Sequence, residues 1–210
     1  MKGLLLKDWY MMQKYCRYYF FVCIAFTVLS VMSKGNMFFI FYPCLLCGMI
    51  PVNLLGYDER SRWTQYAGAL PYTKAQLVSG KYLIGLFTQI AALTVIGIVQ
   101  GIKMTVAGGF ILNEFLLLMM LLLLTASISS SISLPFIFRY GVEKGRSACY
   151  VMIGTVCAGC IIATAVFKEN LHNEIPLNGI LPVICLAAIG IYALSWYLSI
   201  RFAQKREVPV

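Results

Sequence analysis

In the longest hydrophilic stretch of the chain, Tyr57–Lys81, the residues Trp63, Tyr66, Ala67 and Leu70 recur at helical spacing, and Pro71 then stops the helix. A second helix restarts at once. Thr73-Lys74-Ala75-Gln76 has the Thr-x-x-Gln form of a capping box, in which the hydroxyl satisfies an early backbone N–H and the amide reaches back. The expected product is a helix–break–helix elbow with an aromatic face and a charged face. A merely solvated loop needs neither the aromatic spacing nor the cap, so the pattern points to docking of a soluble partner on an aromatic anchor.

A second group is the hydroxyl run Thr125, Ser127, Ser129, Ser130, Ser131 and Ser133, just ahead of Leu134-Pro135. Two readings are open. The hydroxyls can bond back to carbonyls one turn earlier, as bundle helices allow near a proline. Alternatively Thr125, Ser129 and Ser133 line a polar translocation path. The cysteines supply Cys44-x-x-Cys47 and Cys157-x-x-Cys160, but no His or carboxylate stands near to complete a metal shell, so both pairs read as polarizable packing residues. His172, beside Glu169 and Glu174, reads as a polar loop residue, and no metal site is expected. Phosphate-binding Gly-x-x-x-x-Gly-Lys-Ser/Thr, His-Glu metalloprotease and Gly-x-Ser-x-Gly patterns are absent, and no catalytic residue is expected.

The elements that must position these groups are membrane helices. Of 210 residues, 60% are apolar and only 12% charged, with a mean hydropathy of +0.81, where soluble domains carry roughly 25% charged residues. The charges are collected between uncharged runs, several of which reach the ~20 residues that cross a bilayer. The fold class is therefore all-α and polytopic, a single transmembrane domain over residues 1–210. Its six expected spans are Tyr15–Ser33, Met37–Gly56, Tyr82–Ile102, Phe115–Phe138, Cys149–Phe167 and Gly179–Ile200. Pro43 and Pro51 should kink the second and Pro135 the fourth. Thr155, Gly159 and Ala163 give the fifth a small-residue ridge. No acidic or basic side chain falls mid-span, which disfavours proton- or sodium-coupled transport.

An even number of spans places both termini on one side, together with 14 of the 17 Lys and Arg, while Lys34, Lys103 and Lys168 lie opposite. The positive-inside rule makes the first side cytoplasmic in a cell membrane. The net charge of +9 is thereby explained by topology, without nucleic acid. Ahead of the first span, residues 1–14 read as an interfacial amphipathic helix. Leu5, Trp9, Met12 and Cys16 share one face, with Lys7, Gln13, Lys14 and Arg17 opposite and Asp8 off the polar arc.

The elbow also carries a resemblance. Asp58-Glu59-Arg60-Ser61-Arg62-Trp63, Leu70-Pro71-Tyr72-Thr73-Lys74 and Val78-Ser79-Gly80-Lys81-Tyr82 resemble the acidic-x-Trp, Leu-Pro and Lys-Tyr pattern of the small ABC-2-type permease family. Leu134–Arg146 is similar to that family's segment leaving the fourth span. Within the family, the likeness is to permease subunits of bacterial exporters of amphipathic cytolytic peptides, the phenol-soluble modulin exporters. The resemblance implies a homodimer or heterodimer of permeases served by a separate ABC ATP-binding subunit that carries ATP and Mg, with no cofactor on this chain. It also implies a coupling helix at Asp58, Glu59, Arg60, Arg62, Trp63, Tyr66, Leu70, Pro71 and Tyr72, supported by Arg139, Glu143 and Lys144. The competing expectation is a membrane scaffold or sensor whose elbow binds a regulatory protein.

Overall fold

Long apolar runs in lipid leave the backbone amides few partners but their own carbonyls, which dictates helix. The computed structural model describes residues 2–32, 37–106, 111–145 and 177–205, together with 147, 150, 151, 154, 155 and 158, and all its regular structure is helical. The helices are α1 (Lys2–Tyr15), α2 (Arg17–Met32), α3 (Met37–Gly48), α4 (Ile50–Arg60), α5 (Trp63–Gly68), α6 (Lys74–Val106), α7 (Leu112–Tyr140) and α8 (Leu177–Lys205).

Among the described residues, four helical stretches are long and apolar enough to cross a membrane: Met37–Arg60, Lys74–Val106, Leu112–Tyr140 and Cys185–Lys205. They correspond to the second, third, fourth and sixth expected spans. The first is described only in part: residues 33–36 lie outside the described residues, and the 16 described residues of α2 measure about 24 Å against a ~30 Å hydrocarbon core. Among the described residues it reaches spanning length together with α1, from which it is bent by 65°. The bend lies at Cys16, which is fully buried in a cluster with Met12, Cys47, Ile50, Leu54 and Ile84. Burying Met12 and Cys16 in this cluster lays α1 across the ends of α4 and α6. The expected fifth span with its small-residue ridge, and His172 with its neighbouring glutamates, lie mostly or wholly outside the described residues.

The second span breaks beside one of its two expected prolines. Pro43 sits inside α3 without ending it, and the break comes at Met49, two residues before Pro51. Pro51 cannot donate to the Cys47 carbonyl, and Met49 N–H instead donates to the Leu46 carbonyl at 3.0 Å in a tighter turn. The α3/α4 unit packs closely on α7 here, since a Cβ on Gly48 would overlap Ser129 Oγ and lie 2.8 Å from Ser129 Cβ. In α7, Pro135 leaves the Ser131 carbonyl without its intrahelical donor, and Ser195 of α8 donates to that carbonyl at 2.7 Å. Among the described helices these two form the most extensive pair. Tyr82 of α6 completes the seam: its hydroxyl lies 2.7 Å from both Ser195 and Ser199, and its ring stacks on Trp196 with centroids 5.5 Å apart.

Candidate functional site

The helices also reach further into the polar stretch than the apolar runs suggest. α4 continues through Arg60 and α6 begins at Lys74, so only residues 61–62 and 69–73 of the elbow are non-helical. Arg62 adopts a left-handed conformation (φ 54°, ψ 27°), which costs an L-residue roughly 1–2 kcal/mol and separates α4 from α5. After α5, Tyr72 N–H donates to the Leu70 carbonyl at 2.7 Å, closing a turn around Pro71. The capping box forms as the sequence requires: Thr73 N–H donates to Gln76 Oε1 at 3.1 Å and Gln76 N–H to Thr73 Oγ1 at 3.3 Å.

Behind the elbow is a cluster of four charges. Lys81 Nζ lies 2.7 Å from Asp8 Oδ1 and 2.5 Å from Asp58 Oδ2. Lys7 Nζ lies 2.8 Å from Asp58 Oδ1 and 3.0 Å from Asp8 Oδ1. Three of the four side chains are essentially buried, at 0% exposure for Asp8, 3% for Asp58 and 7% for Lys81, with Lys7 at 22%. The formal charge sums to zero, the condition under which such burial is tolerable. Asp8 gets there because it shares the buried face of α1 with Leu4 and Met12 at i±4 spacing. Its Oδ2 has no partner among the described residues. Lys7 also sits 4.3 Å above the centroid of Trp63, adding a cation–π contact. One lysine of α1 therefore touches both the end of α4 and the first residue of α5.

The two sequence patches meet beside this cluster. Val142 N–H, just past α7, donates to Glu59 Oε2 at 3.3 Å. Gly141, at φ 93°, makes the turn, and a Cβ on Gly145 would overlap Ile137, so the segment lies tight on the end of α7. The Arg139 guanidinium stacks 5.1 Å from the Tyr140 ring and 5.3 Å from the Phe202 ring, joining the ends of α7 and α8. Glu59, Arg60, Arg62, Tyr66, Pro71, Arg139, Glu143 and Lys144 are exposed, while Trp63, Leu70 and Tyr72 are half-buried. Asp58 is the exception: it faces inward to Lys7 and Lys81 and is not available on the surface. Trp63, read from the sequence as the outward anchor, is shared with Lys7, and Tyr66 is the aromatic that projects, at 63% exposure.

The hydroxyl run is satisfied mostly within the bundle. Thr125 donates to the Leu122 carbonyl at 2.8 Å, Ser133 to the Ser129 carbonyl at 2.7 Å, and Ser129 reaches the Leu45 carbonyl at 3.5 Å. Ser129 and Ser133 are fully buried, and Gln89 of α6 donates to Ser130 Oγ at 2.6 Å. Cys44 and Cys47 are buried in α3, with Cys23 Sγ 3.7 Å from Cys47 Sγ. Among the described residues no group of His, Cys, Asp and Glu is arranged to hold a metal ion.

The sequence shows Asp8 off the polar arc and Lys81 in the Lys-Tyr motif, but their pairing was not read from it. The available signal was a carboxylate on the apolar arc of a helix, which demands a buried cation somewhere else in the chain.

Residues 3–204 match the family model described as ABC-2 family transporter protein. No curated protein and no solved structure matches the chain. The match covers nearly the whole sequence, and it agrees with an all-helical molecule whose spans end in a folded polar elbow. The chain belongs to the ABC-2 transporter family, as a multi-pass membrane permease component that works with an ABC ATP-binding subunit.

Proposed function

We propose that this chain is one of two permease subunits, alike or different, of a bacterial ATP-driven exporter in the cell membrane. It has six spans, both termini in the cytoplasm, and amphipathic or hydrophobic peptides as cargo. The observation that carries the reading is the convergence of two patches, distant in sequence, on one exposed surface. Glu59, Arg60, Arg62 and Tyr66 stand beside the segment of Glu143 and Lys144, joined by the Glu59–Val142 hydrogen bond. This surface is the seat for the ATP-binding subunit, which brings ATP and Mg. A force applied there reaches α1, α4 and α6 through the charge cluster, because the same Lys7 contacts Trp63, Asp8 and Asp58. The peptide cargo is supported by the sequence resemblance to exporters of amphipathic cytolytic peptides, and the orientation by the 14 basic residues on one side out of 17.

The test combines topology with reconstitution. On a cysteine-free background, cysteines at positions 62 and 143 should be protected from impermeant reagent in intact cells and one at 111 labelled. The permease co-reconstituted with its ATP-binding subunit should accumulate an amphipathic helical peptide in inverted vesicles only with ATP. Labelling at 62 with protection at 111 would reverse the orientation. ATP turnover without peptide movement would overturn the cargo assignment.

A further inference from the structure

An open groove of about 470 Å³ runs between α1 and the first membrane turns of α6. Leu5 and Leu6 form one wall and Leu83 and Phe87 the other, with Leu6 and Phe87 more than half exposed. Trp9 closes the groove at the side, its ring edge-on to Phe87 with centroids 5.4 Å apart. Lys2 lies at the rim. Among the described residues Lys2 has no carboxylate partner, whereas Lys7 and Lys81 are already balanced by Asp8 and Asp58.

We infer that this groove binds one anionic phospholipid, its acyl chain along Leu83 and Phe87 and its phosphate at Lys2. Three observations select that occupant. The walls carry almost no polar surface, so a peptide lying there would leave its backbone amides unpaired, while a hydrocarbon chain has none to satisfy. Among the described residues the one charge at the rim is a cation, which suits a phosphate. A half-buried tryptophan marks headgroup depth, and α6 descends about 9 Å from Lys81 to Phe87, so the apolar wall starts at headgroup depth and enters the acyl layer. Along that line Leu83, Phe87 and Ile90 form a continuous exposed ridge. The site requires a membrane but neither export nor an ATP-binding subunit, so it stands or falls separately from the exporter reading.

The test uses the full chain with Trp63→Phe and Trp196→Phe, leaving Trp9 as the sole indole, in phosphatidylcholine vesicles. Brominated-acyl phosphatidylglycerol or brominated-acyl phosphatidylcholine is added at equal mole fraction, and Trp9 quenching is read. Phosphatidylglycerol should be preferred about fivefold, the effect of one lysine at an anionic surface. Lys2→Gln should remove the preference and leave quenching by phosphatidylcholine intact, whereas Lys14→Gln, on the same helix but outside the groove, should change nothing. Equal quenching by the two lipids would overturn the site, as would equal loss of preference in Lys14→Gln, which signals diffuse attraction. Displacement by soluble glycerol phosphate would assign the cation to free phosphate instead. Protection of Trp9 from both lipids would mean that protein fills the groove.

Discussion

Replacing Lys81 with Met tests the charge cluster where it is most tightly built. The substitution keeps the length of the side chain and removes the cation closest to both carboxylates, at 2.7 Å from Asp8 and 2.5 Å from Asp58. Asp8 and Asp58 then share only Lys7, and a net negative charge is left inside the protein. Removing one partner of a buried ion pair costs about 3–5 kcal/mol, chiefly because the other charge stays behind. For a chain of this length that corresponds to a melting temperature lower by about 6–20 °C. Lys7→Met should cost clearly less, because Lys7 is 22% exposed and water screens part of its role. The double variant Lys81→Met/Asp8→Leu removes one charge of each sign and leaves the Lys7–Asp58 pair, and should recover most of the loss. The assay is thermal unfolding of the four proteins in one detergent, followed by tryptophan emission and by size-exclusion recovery, with Arg60→Met as a surface control. A Lys81→Met protein that melts within 2 °C of the control, or a double variant no better than the single, would refute the argument that neutrality permits the burial.

Tyr66→Ala, which removes the aromatic that projects from the elbow, should weaken retention of the ATP-binding subunit by ~2 kcal/mol or more, measured by pull-down in matched detergent. Trp63→Ala should instead leave binding closer to wild type while lowering peptide-stimulated ATP turnover, since its ring contacts Lys7. Gly48→Ala forces a methyl into Ser129 and should destabilise by about 1–3 kcal/mol, with Ser129→Gly restoring most of it in a thermal-melt comparison. Ser195→Ala uncovers the Ser131 carbonyl that Pro135 leaves unbonded and should cost about 1–3 kcal/mol. The same change should cost less in a Pro135→Ala background, where residue 135 donates that bond itself, and denaturant titration of the four-member cycle reads the difference.

What the sequence could disclose follows the range of the forces involved. The capping box at Thr73–Gln76 is legible because both partners lie within one helical turn, and its two hydrogen bonds are found as read. Four spans are legible because lipid demands unbroken apolar length. Their ends are not: Asp58, Glu59 and Arg60 look like loop, yet helical hydrogen bonding does not stop where hydropathy does, and α4 runs through them. The break at Met49 was placed by Pro51 and by the close approach of Gly48 to α7, and no local pattern announces that approach. The role of Asp8 depends on Lys81, and the shared use of Trp63 on Lys7. These are contacts of tertiary structure between residues that periodicity treats as unrelated.

The pairing of Asp8 with Lys81 also sets an order of events during synthesis. The two residues are 73 positions apart, a gap the ribosome takes about 4–15 s to cross at ~5–20 residues per second. Throughout that interval the newborn α1 carries a carboxylate on the very face that will later be buried, with only its neighbour Lys7 beside it. Entering the apolar interior in that condition would strand the charge, so α1 is expected to stay at the water boundary until α6 delivers Lys81. α1 is thus expected to dock fully only after α6, and a chain truncated before α6 keeps the contacts of Met12, Cys16 and Lys7 with α4, but not the Lys81 pair, to seat it.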